Sequence, residues 1–418
     1  MVSDSRRTAG SLSHRRGELP HAGVQLEDAT MKQHRLHHAA VVLLAAAVAL
    51  SACADDPMAP PAPAPTAAAA AALRTRTYFV AADLVVWDYA PSGMNLVAGQ
   101  PFTAEEALFA AQDVAKTRIG RQYTKALYRE YTDATFTTLK PRPDEWQHLG
   151  ALGPLIRAQV GDTIRVVFRN NADRPYTVHP HGVFYEKDSE GAPYDDDDGV
   201  TTGDAVPPGV THVYTWPVPE RAGPGPADGS SVFWMYHSHV DEPRDANSGL
   251  VGPIIIAARG RAREDGRPND VDREFVNLFM IYDENESWYL EDNVAAADVD
   301  VESADHDLFE ESNLKHAING FLWDNFPTVA GGHAMTMKVG ERVRWYMLGM
   351  GTEVDLHTPH WHGQTLLLMG MRVDLIELLP GSMRVVDMVP DNPGTWLYHC
   401  HVNDHITAGM LARFRVVR

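Results

Sequence analysis

Cysteine is nearly missing from this chain: Cys53 and Cys400 are the only two in 418 residues. That leaves no disulfide framework, so the fold must rest on apolar burial. Positive charge is also scarce, with 36 Lys and Arg against 56 Asp and Glu and a formal net charge of −20. Nucleic acid is excluded as a natural partner at that charge, whereas cations are attracted. Long apolar runs are missing apart from residues 39–50, which are too few to span a bilayer comfortably.

Against this background histidine is concentrated. From His399 to Met410 the chain reads H-C-H-V-N-D-H-I-T-A-G-M, one thiolate, three imidazoles and a thioether in one short stretch. A soft thiolate with two imidazoles and a weak axial thioether is the ligand set of a blue electron-transfer copper. Cys400, His405 and Met410 supply three of those four ligands. Neighbours on a strand face opposite ways, so His399 and His401 point away from that copper and give electrons a short covalent route out of Cys400. Three more clusters follow the same spacing: His179 and His181 in H-P-H-G, His237 and His239 in H-S-H, and His357, His360 and His362 in H-T-P-H-W-H-G. A lone histidine is usually structural, but paired imidazoles at alternate positions suit metal. With His357 and His405 given to the blue copper, His179, His181, His237, His239, His360, His362, His399 and His401 remain. They suit three coppers, two imidazoles for a type 2 ion and three for each of a type 3 pair. Zinc has no use for a Cys-His-Met site.

The body of the chain alternates short β-rich runs with Gly/Pro turns. Strands are expected at 163–170, 232–237, 252–257, 275–282 and 394–399, with one helix at 104–114. Two halves repeat. V-G-D-T-I-R-V-V-F at Val160 matches V-G-E-R-V-R-W-Y-M at Val339, and F-W-M-Y-H-S-H at Phe233 matches T-W-L-Y-H-C-H at Thr395. An all-β fold of two tandem cupredoxin-like Greek-key β-sandwiches is expected, over 74–258 and 273–418, joined by a charged linker at 259–272. In the first half Tyr176 stands for His357, Ser238 for Cys400 and Leu250 for Met410, and no histidine stands for His405. Blue copper is therefore expected in the second domain alone. Met335, Met337, Met347, Met350, Met369 and Met371 read as core packing. The run Asp195, Asp196, Asp197 and Asp198 offers oxygen ligands to Ca2+, although a solvated acidic loop explains it better.

Four coppers with this wording resemble the multicopper oxidases, over roughly residues 76–418, and within them ceruloplasmin and hephaestin. H-P-H-G-V-F-Y-E-K at His179, D-E-N-E-S-W-Y-L-E-D-N at Asp283, E-S-N-x-x-H-A-I-N-G at Glu311 and E-V-D-L-H-T at Glu353 carry the resemblance. It implies oxidation of a small reducing substrate coupled to reduction of O2 to water. It also implies an Fe2+ site at Glu311, His316 and Asp404, beside the blue copper. A further Glu of that iron site comes from another domain and is not assigned to a position here, and ceruloplasmin has six such domains in one chain. Resemblance to two-domain members implies a homotrimer, with each trinuclear cluster between one chain's first domain and the next chain's second. Laccase-like oxidation of phenols or Cu+ uses the same coppers and is the alternative. A copper nitrite reductase would keep its cysteine in the first domain, where Ser238 stands. A non-catalytic scaffold, as in the related coagulation factors, would not need ten histidines with Cys400 and Met410.

The first residues carry an address. Residues 1–30 lack apolar periodicity and read as an over-extended start. Met31, Lys32 and Arg35 precede the apolar run, and Leu50-Ser51-Ala52-Cys53 ends it, so 31–52 reads as a signal peptide. The ending resembles a bacterial lipobox, which implies export and a lipid on Cys53. That makes the chain a cell-envelope lipoprotein, held at the outer membrane where the source has two membranes. The Ala/Pro-rich stretch 53–73 is a linker with no capacity for a core.

Overall fold

The computed structural model describes residues 74–197, 199–330 and 332–418. The start, signal run, Cys53 and Ala/Pro linker lie outside the described residues. The first domain holds β1 (Thr75–Asp88), β2 (Gln122–Tyr131), β3 (Ile156–Gln159), β4 (Thr163–Asn170), β5 (His179–Pro180), β6 (Thr211–Pro217), β7 (Ser231–His237) and β8 (Val251–Ala257). They form two sheets ordered β2-β1-β4-β6 and β3-β8-β7-β5. The second domain holds β9 (Arg273–Asp283), β10 (Leu314–Ile318), the small hairpin β11 (Thr328–Val329) and β12 (Gly332–His333), β13 (Thr336–Lys338), β14 (Val343–Gly349) and β15 (Pro359–Trp361). It continues with β16 (Leu366–Leu368), β17 (Met371–Val373), β18 (Met383–Met388), β19 (Gly394–Cys400) and β20 (Leu411–Val417). Its main sheets run β10-β9-β14-β18-β16-β17 and β13-β20-β19-β15.

The sequence repeat is thus a structural repeat. β1 and β4 pair in parallel, as do β9 and β14; β3 and β8 pair in parallel, as do β13 and β20. All five expected runs are strands, because alternating β-branched and aromatic residues fit a half-buried pleat. Five short helices decorate the sandwiches: α1 (Glu106–Ala110), α2 (Glu242–Ser248), α3 (Leu290–Ala296), α4 (His306–Ser312) and α5 (Asn403–Ala408). No helix among the described residues is long and apolar enough to cross a membrane.

The helix expected over 104–114 is shorter, and the reason is tertiary. Its start is a capping box: Glu106 N donates to Thr103 Oγ1 at 3.2 Å, and Thr103 N donates to Glu106 Oε2 at 2.8 Å. Its end is captured from the other domain, where buried Lys315 donates from Nζ to Phe109 O and Gly120 O at 2.6 and 2.8 Å. Ala111 is already extended. The methionines also divide. Met335, Met337, Met347 and Met350 are buried, but Met369 and Met371 are 73% and 62% exposed at the β16–β17 turn. That turn forces both side chains off the sheet.

Packing does not follow the sequence boundary between domains. The β1–β2 connection lies on the second domain: Leu96 N donates to Trp323 O and Ser92 N to Asn325 Oδ1. In return the β9–β10 connection lies on the first. Tyr123 donates to Asn313 Oδ1 at 2.8 Å, Tyr176 and Tyr289 share a hydroxyl contact of 2.8 Å, and Lys125 is paired with Glu284, both fully buried. Between these crossings β7 has two faces. Val232, Trp234 and Tyr236 enter the first core, while Phe233 and Met235 pack with Val276, Leu278 and Tyr346 of the second domain. Arg157 grips Glu274 with two bonds of 3.1 and 2.8 Å across the junction, the strong bidentate form of an ion pair.

His148 is the neutral peg of this junction. Its Nδ1 donates to Glu145 O at 2.9 Å, and its Nε2 accepts from Val276 N at 3.1 Å. Burial pushes its pKa down to about 3. The unfolded chain takes up this proton near pH 6.5 and the folded chain only near 3, so the unfolded state binds more protons between those values. The contribution is therefore present above about pH 6.5 and is lost as pH falls toward 3. His148→Gln is expected to destabilise by about 1–3 kcal/mol near neutral pH, the cost of a broken buried hydrogen bond. The gap in unfolding midpoint between wild type and variant should narrow from about pH 7.5 to about pH 5. Scanning calorimetry at both values checks this, and a gap that stays constant or widens would remove His148 from that role.

Candidate metal centres

Strand register assembles three groups of donors. β5 pairs with β7 so that His179 lies opposite His237, and β15 pairs with β19 so that His360 lies opposite His399. His179, His181 and His237 bring ligand atoms within 4.8 Å of one another, as do His360, His362 and His399, and His357, Cys400 and His405. His239 joins the first set, 5.0 Å between ring centres from His179, and His401 joins the second, 5.5 Å from His360. Among the described residues, ring contacts link histidines within each set and none links the first set to the second.

The chemistry of these donors fits metal. His179, His237 and His399 donate from Nδ1 to the carbonyls of Glu190, Ser238 and Cys400 at 2.7, 3.0 and 2.7 Å. A neutral imidazole that donates at Nδ1 keeps its lone pair on Nε2. The Nε2 atoms of His237 and His399 turn inward, 3.0 Å from His181 Nε2 in one set and 3.0 Å from His362 Nε2 in the other. His360 Nδ1 is buried with no hydrogen-bond partner. Burial, then neighbouring imidazoles, lowers the pKa of His181 to about 4, and burial with His179 lowers that of His237 to about 3. His179, His360 and His399 are lowered by burial too. All five stay neutral and ligand-competent at neutral pH. Glu242 stands beside the first set, 3.5 Å from His239 Nε2 and 3.9 Å from His237 Nδ1.

The third group is deeper. Cys400 Sγ lies 3.9 Å from His357 Nδ1 and 3.5 Å from His405 Nδ1, and all three residues are buried. Met410 is fully buried in the same core cluster, and its carbonyl accepts from Cys400 N at 3.1 Å. Gly409, with φ of 121°, lets the chain turn back from α5 to set it there. Burial raises the Cys400 thiol and lowers His405 to about 4, so a thiolate here needs a bound cation beside it. Asp355 was not singled out by sequence reasoning. Its Oδ1 lies 3.1 Å from His357 Nε2 and also accepts from Ile281 N at 2.6 Å. This fixes the His357 tautomer and leaves Nδ1 free to face Sγ. The available signal was an acid two residues before a ligand in E-V-D-L-H-T.

In the first domain the corresponding space is filled by hydrogen bonds. Ser238 donates to Asp245 Oδ2 at 2.6 Å, and Trp288 donates to Asp245 Oδ1 at 2.9 Å. Tyr176 takes the place of His357, and Leu250 that of Met410. Beside the third group, the His316 ring lies 5.2 Å from that of His405, and burial then His405 lower its pKa to about 3. Glu311, exposed at the end of α4, has its pKa raised by partial burial and then by the charge of Asp404, which is exposed on α5. The structure thus gathers Glu311, His316 and Asp404 at one rim. The acidic loop differs: Lys187 Nζ lies 2.5 Å from Asp196 and 2.7 Å from Glu190, and Asp198 is outside the described residues. An internal ammonium already neutralises the place offered to Ca2+.

Two family profiles described as multicopper oxidase match residues 300–418 and 150–261, together more than half of the chain. Human "Ferroxidase HEPHL1" is 43% identical over 350 residues, which are 82% of this chain and 29% of that protein. Rat hephaestin is 43% identical over 347 residues, with the same shares, and human ceruloplasmin 39% over 351 residues, 83% of this chain and 31% of that one. The chain spans under a third of the length of these curated relatives. A solved structure titled "Multicopper Oxidase mgLAC" shares the fold with a TM-score of 0.52 at 20% identity, covering 82% of this chain and 86% of that one. A blue copper oxidase from Nitrosomonas europaea does so with 0.50 at 17%, over the same shares. On these matches the chain belongs to the multicopper oxidase family, of the hephaestin and ceruloplasmin type.

Proposed function

We propose that this chain is a copper oxidase that takes electrons singly from a small reducing substrate, Fe2+ first, and passes four to O2 to leave water. The observation that carries this reading is the buried donor group of Cys400, His357 and His405, together with two sets of clustered imidazoles, one of them sharing the strand of Cys400. We assign a type 1 copper to His357, Cys400, His405 and Met410. A type 2 copper and a type 3 pair take His179, His181, His237, His239, His360, His362, His399 and His401, which makes four per chain. Copper held there supplies one-electron redox chemistry and O2 reduction. The chain supplies the rest. Asp355 orients His357, Thr358 N points at Cys400 Sγ from 3.4 Å, and burial keeps water from the thiolate. Peptide bonds join Cys400 to His399 and His401, so electrons leave along a covalent path.

Fe2+ suits the rim. Two exposed carboxylates beside an imidazole bind Fe(II) and favour the Fe(III) product. His316 stacks beside His405 and leads inward. The name of the relative "Ferroxidase HEPHL1" points the same way. The laccase-like alternative also has an observation in its favour. An open apolar cavity of about 370 Å³, lined in part by Leu290, Val294 and Phe309, adjoins this rim. Phe309 lies 5.6 Å from His316 between ring centres, so a phenol there would reach the same exit.

The two imidazole sets belong to different domains and do not meet within the chain, so we infer that a second copy completes each. Head-to-tail contacts of that kind close into rings, and a homotrimer is the smallest ring the resemblance implies. Leu356, Leu375 and Leu379 support a partner at this edge: they are 52%, 38% and 54% exposed, Leu375 bridging His360 and the other two flanking the His357–Leu378 bridge. We further propose export and lipid anchoring at Cys53.

Three measurements test these readings. Glu311→Ala should lower kcat/KM for Fe(II) about ten- to a hundred-fold, the worth of one charge-assisted contact, with phenol oxidation, copper content and blue absorption unchanged. Equal losses toward iron and phenol would move the assignment to a laccase. Mixed His237→Ala and His401→Ala chains should regain activity that neither has alone, since some interfaces then hold every ligand; a fully active monomer in light scattering would refute the shared cluster. Cys53→Ser should move the protein from the membrane to the soluble fraction, and a mature N-terminus elsewhere than Cys53 would defeat the lipid assignment.

A further inference from the structure

A cavity of about 730 Å³ lies against β1 and β2, under residues 139–157, far along the fold from the metal ligands in sequence and lined by none of them. Its charge runs against that of the chain. Arg129, Lys140, Arg142, Arg157 and Arg267 line it against only Glu130, Glu145 and Asp265, in a protein of net charge −20.

Most of these cations are spoken for. Lys140 pairs with Glu130 at 2.8 Å, Arg157 with Glu274 at 2.8 Å, Arg267 with Glu145 at 2.7 Å and Arg129 with Asp83 at 3.7 Å. Arg142 is different. Its guanidinium donates only to the carbonyls of Gly150 and Leu152, at 2.8 and 2.7 Å. Among the described residues no carboxylate stands within ion-pair distance of it. Burial accordingly lowers its pKa. Arg142 is half-buried, and a charge drawn partly out of water without a counter-charge is costly. Arg267 is enclosed by acids on every side: besides Glu145, its Nε has carboxylates of Asp265 and Glu274 each at 3.7 Å. The walls are aromatic, with Trp87, Trp146 and Tyr78. Trp146 is held by Arg157, whose guanidinium carbon lies 5.0 Å from its ring centre.

We propose that this cavity is a binding site for a small organic anion, a planar carboxylate whose charge meets Arg142 and whose apolar body lies along Trp87 and Trp146. The volume suits such a ligand, and apolar walls with a few converging polar groups are the usual make-up of a small-molecule site. Carboxylate matches a guanidinium fork better than any other common anion of that size except phosphate. The site also has a mechanical link to the metal end. The carbonyls that Arg142 holds precede Gly153 and Pro154, Tyr236 donates to Pro154 O at 2.8 Å, and Tyr236 precedes the proposed ligand His237.

The test titrates benzoate and its neutral counterpart benzamide into the full copper-loaded protein, read by calorimetry and tryptophan fluorescence. Saturable benzoate binding is expected, with benzamide and the Arg142→Met variant weaker by about ten- to a hundred-fold, as for loss of one charge-assisted contact. Leu139→Trp puts a large side chain at the cavity from a 37% exposed position. It should fold normally and lose benzoate binding, and it decides the matter where Arg142→Met is unstable. No saturable binding, equal binding of benzamide, or undiminished benzoate binding by Leu139→Trp, which would put the anion on copper, overturns the proposal.

Discussion

A strand shows each face only every second residue, and that period decides what chemistry this molecule can hold. On β19, Trp396, Tyr398 and Cys400 turn into the second core, while His399 and His401 turn out. Register with β15 then sets His360 opposite His399 and Pro359 opposite Cys400. A slip of one residue would bury the paired imidazoles and expose the thiol. The buried face therefore encloses the thiol, and the outer face presents the paired imidazoles, joined to it by two peptide bonds. β7 repeats the arrangement, with Tyr236 and Ser238 inward and His237 and His239 outward.

The exchange of connections fixes where those outer faces can go. Each domain lends the other a segment, and the junction contains buried ion pairs, Lys125 with Glu284 and Arg157 with Glu274. Opening it would strand charges at about 3–5 kcal/mol for each broken pair. It would also uncover Phe233 and Met235. A hinge that brings one chain's two imidazole sets together is thus opposed by the core itself. Completing a set from outside, as proposed above, leaves this junction closed.

Much of this was legible because it rests on residue types with few alternative uses. Ten histidines at fixed spacing around Cys400 and Met410 name a metal centre before any fold is known, and alternation of Val, Ile and Trp marks β4, β7 and β19. What escaped the sequence depends on distant contacts. Asp355 looks like any surface acid until β9 brings Ile281 N against it. The end of α1 is written in Lys315, 206 residues away from Phe109. Nothing in residues 89–121 tells which domain they cover. Met369 and Met371 sit in an apolar stretch, yet a tight turn points them outward.

The first domain shows which part of a copper site the fold itself requires. Thr358 N approaches Cys400 Sγ at 3.4 Å, and Thr177 N approaches Ser238 Oγ at 3.0 Å. The same backbone amide meets the same side-chain position in both halves, a thiol in one and a hydroxyl in the other. Without a metal, the remaining space would hold unsatisfied polar groups at a cost of about 1–3 kcal/mol each. Asp245 satisfies them instead, accepting from Ser238, Val240 N, Asp241 N and Trp288. Three of those donors lie between His237 and the first turn of α2, so the network sets the path of the chain just where His237 and His239 must point outward. The copper is dispensable in that domain because a carboxylate holds the same turn.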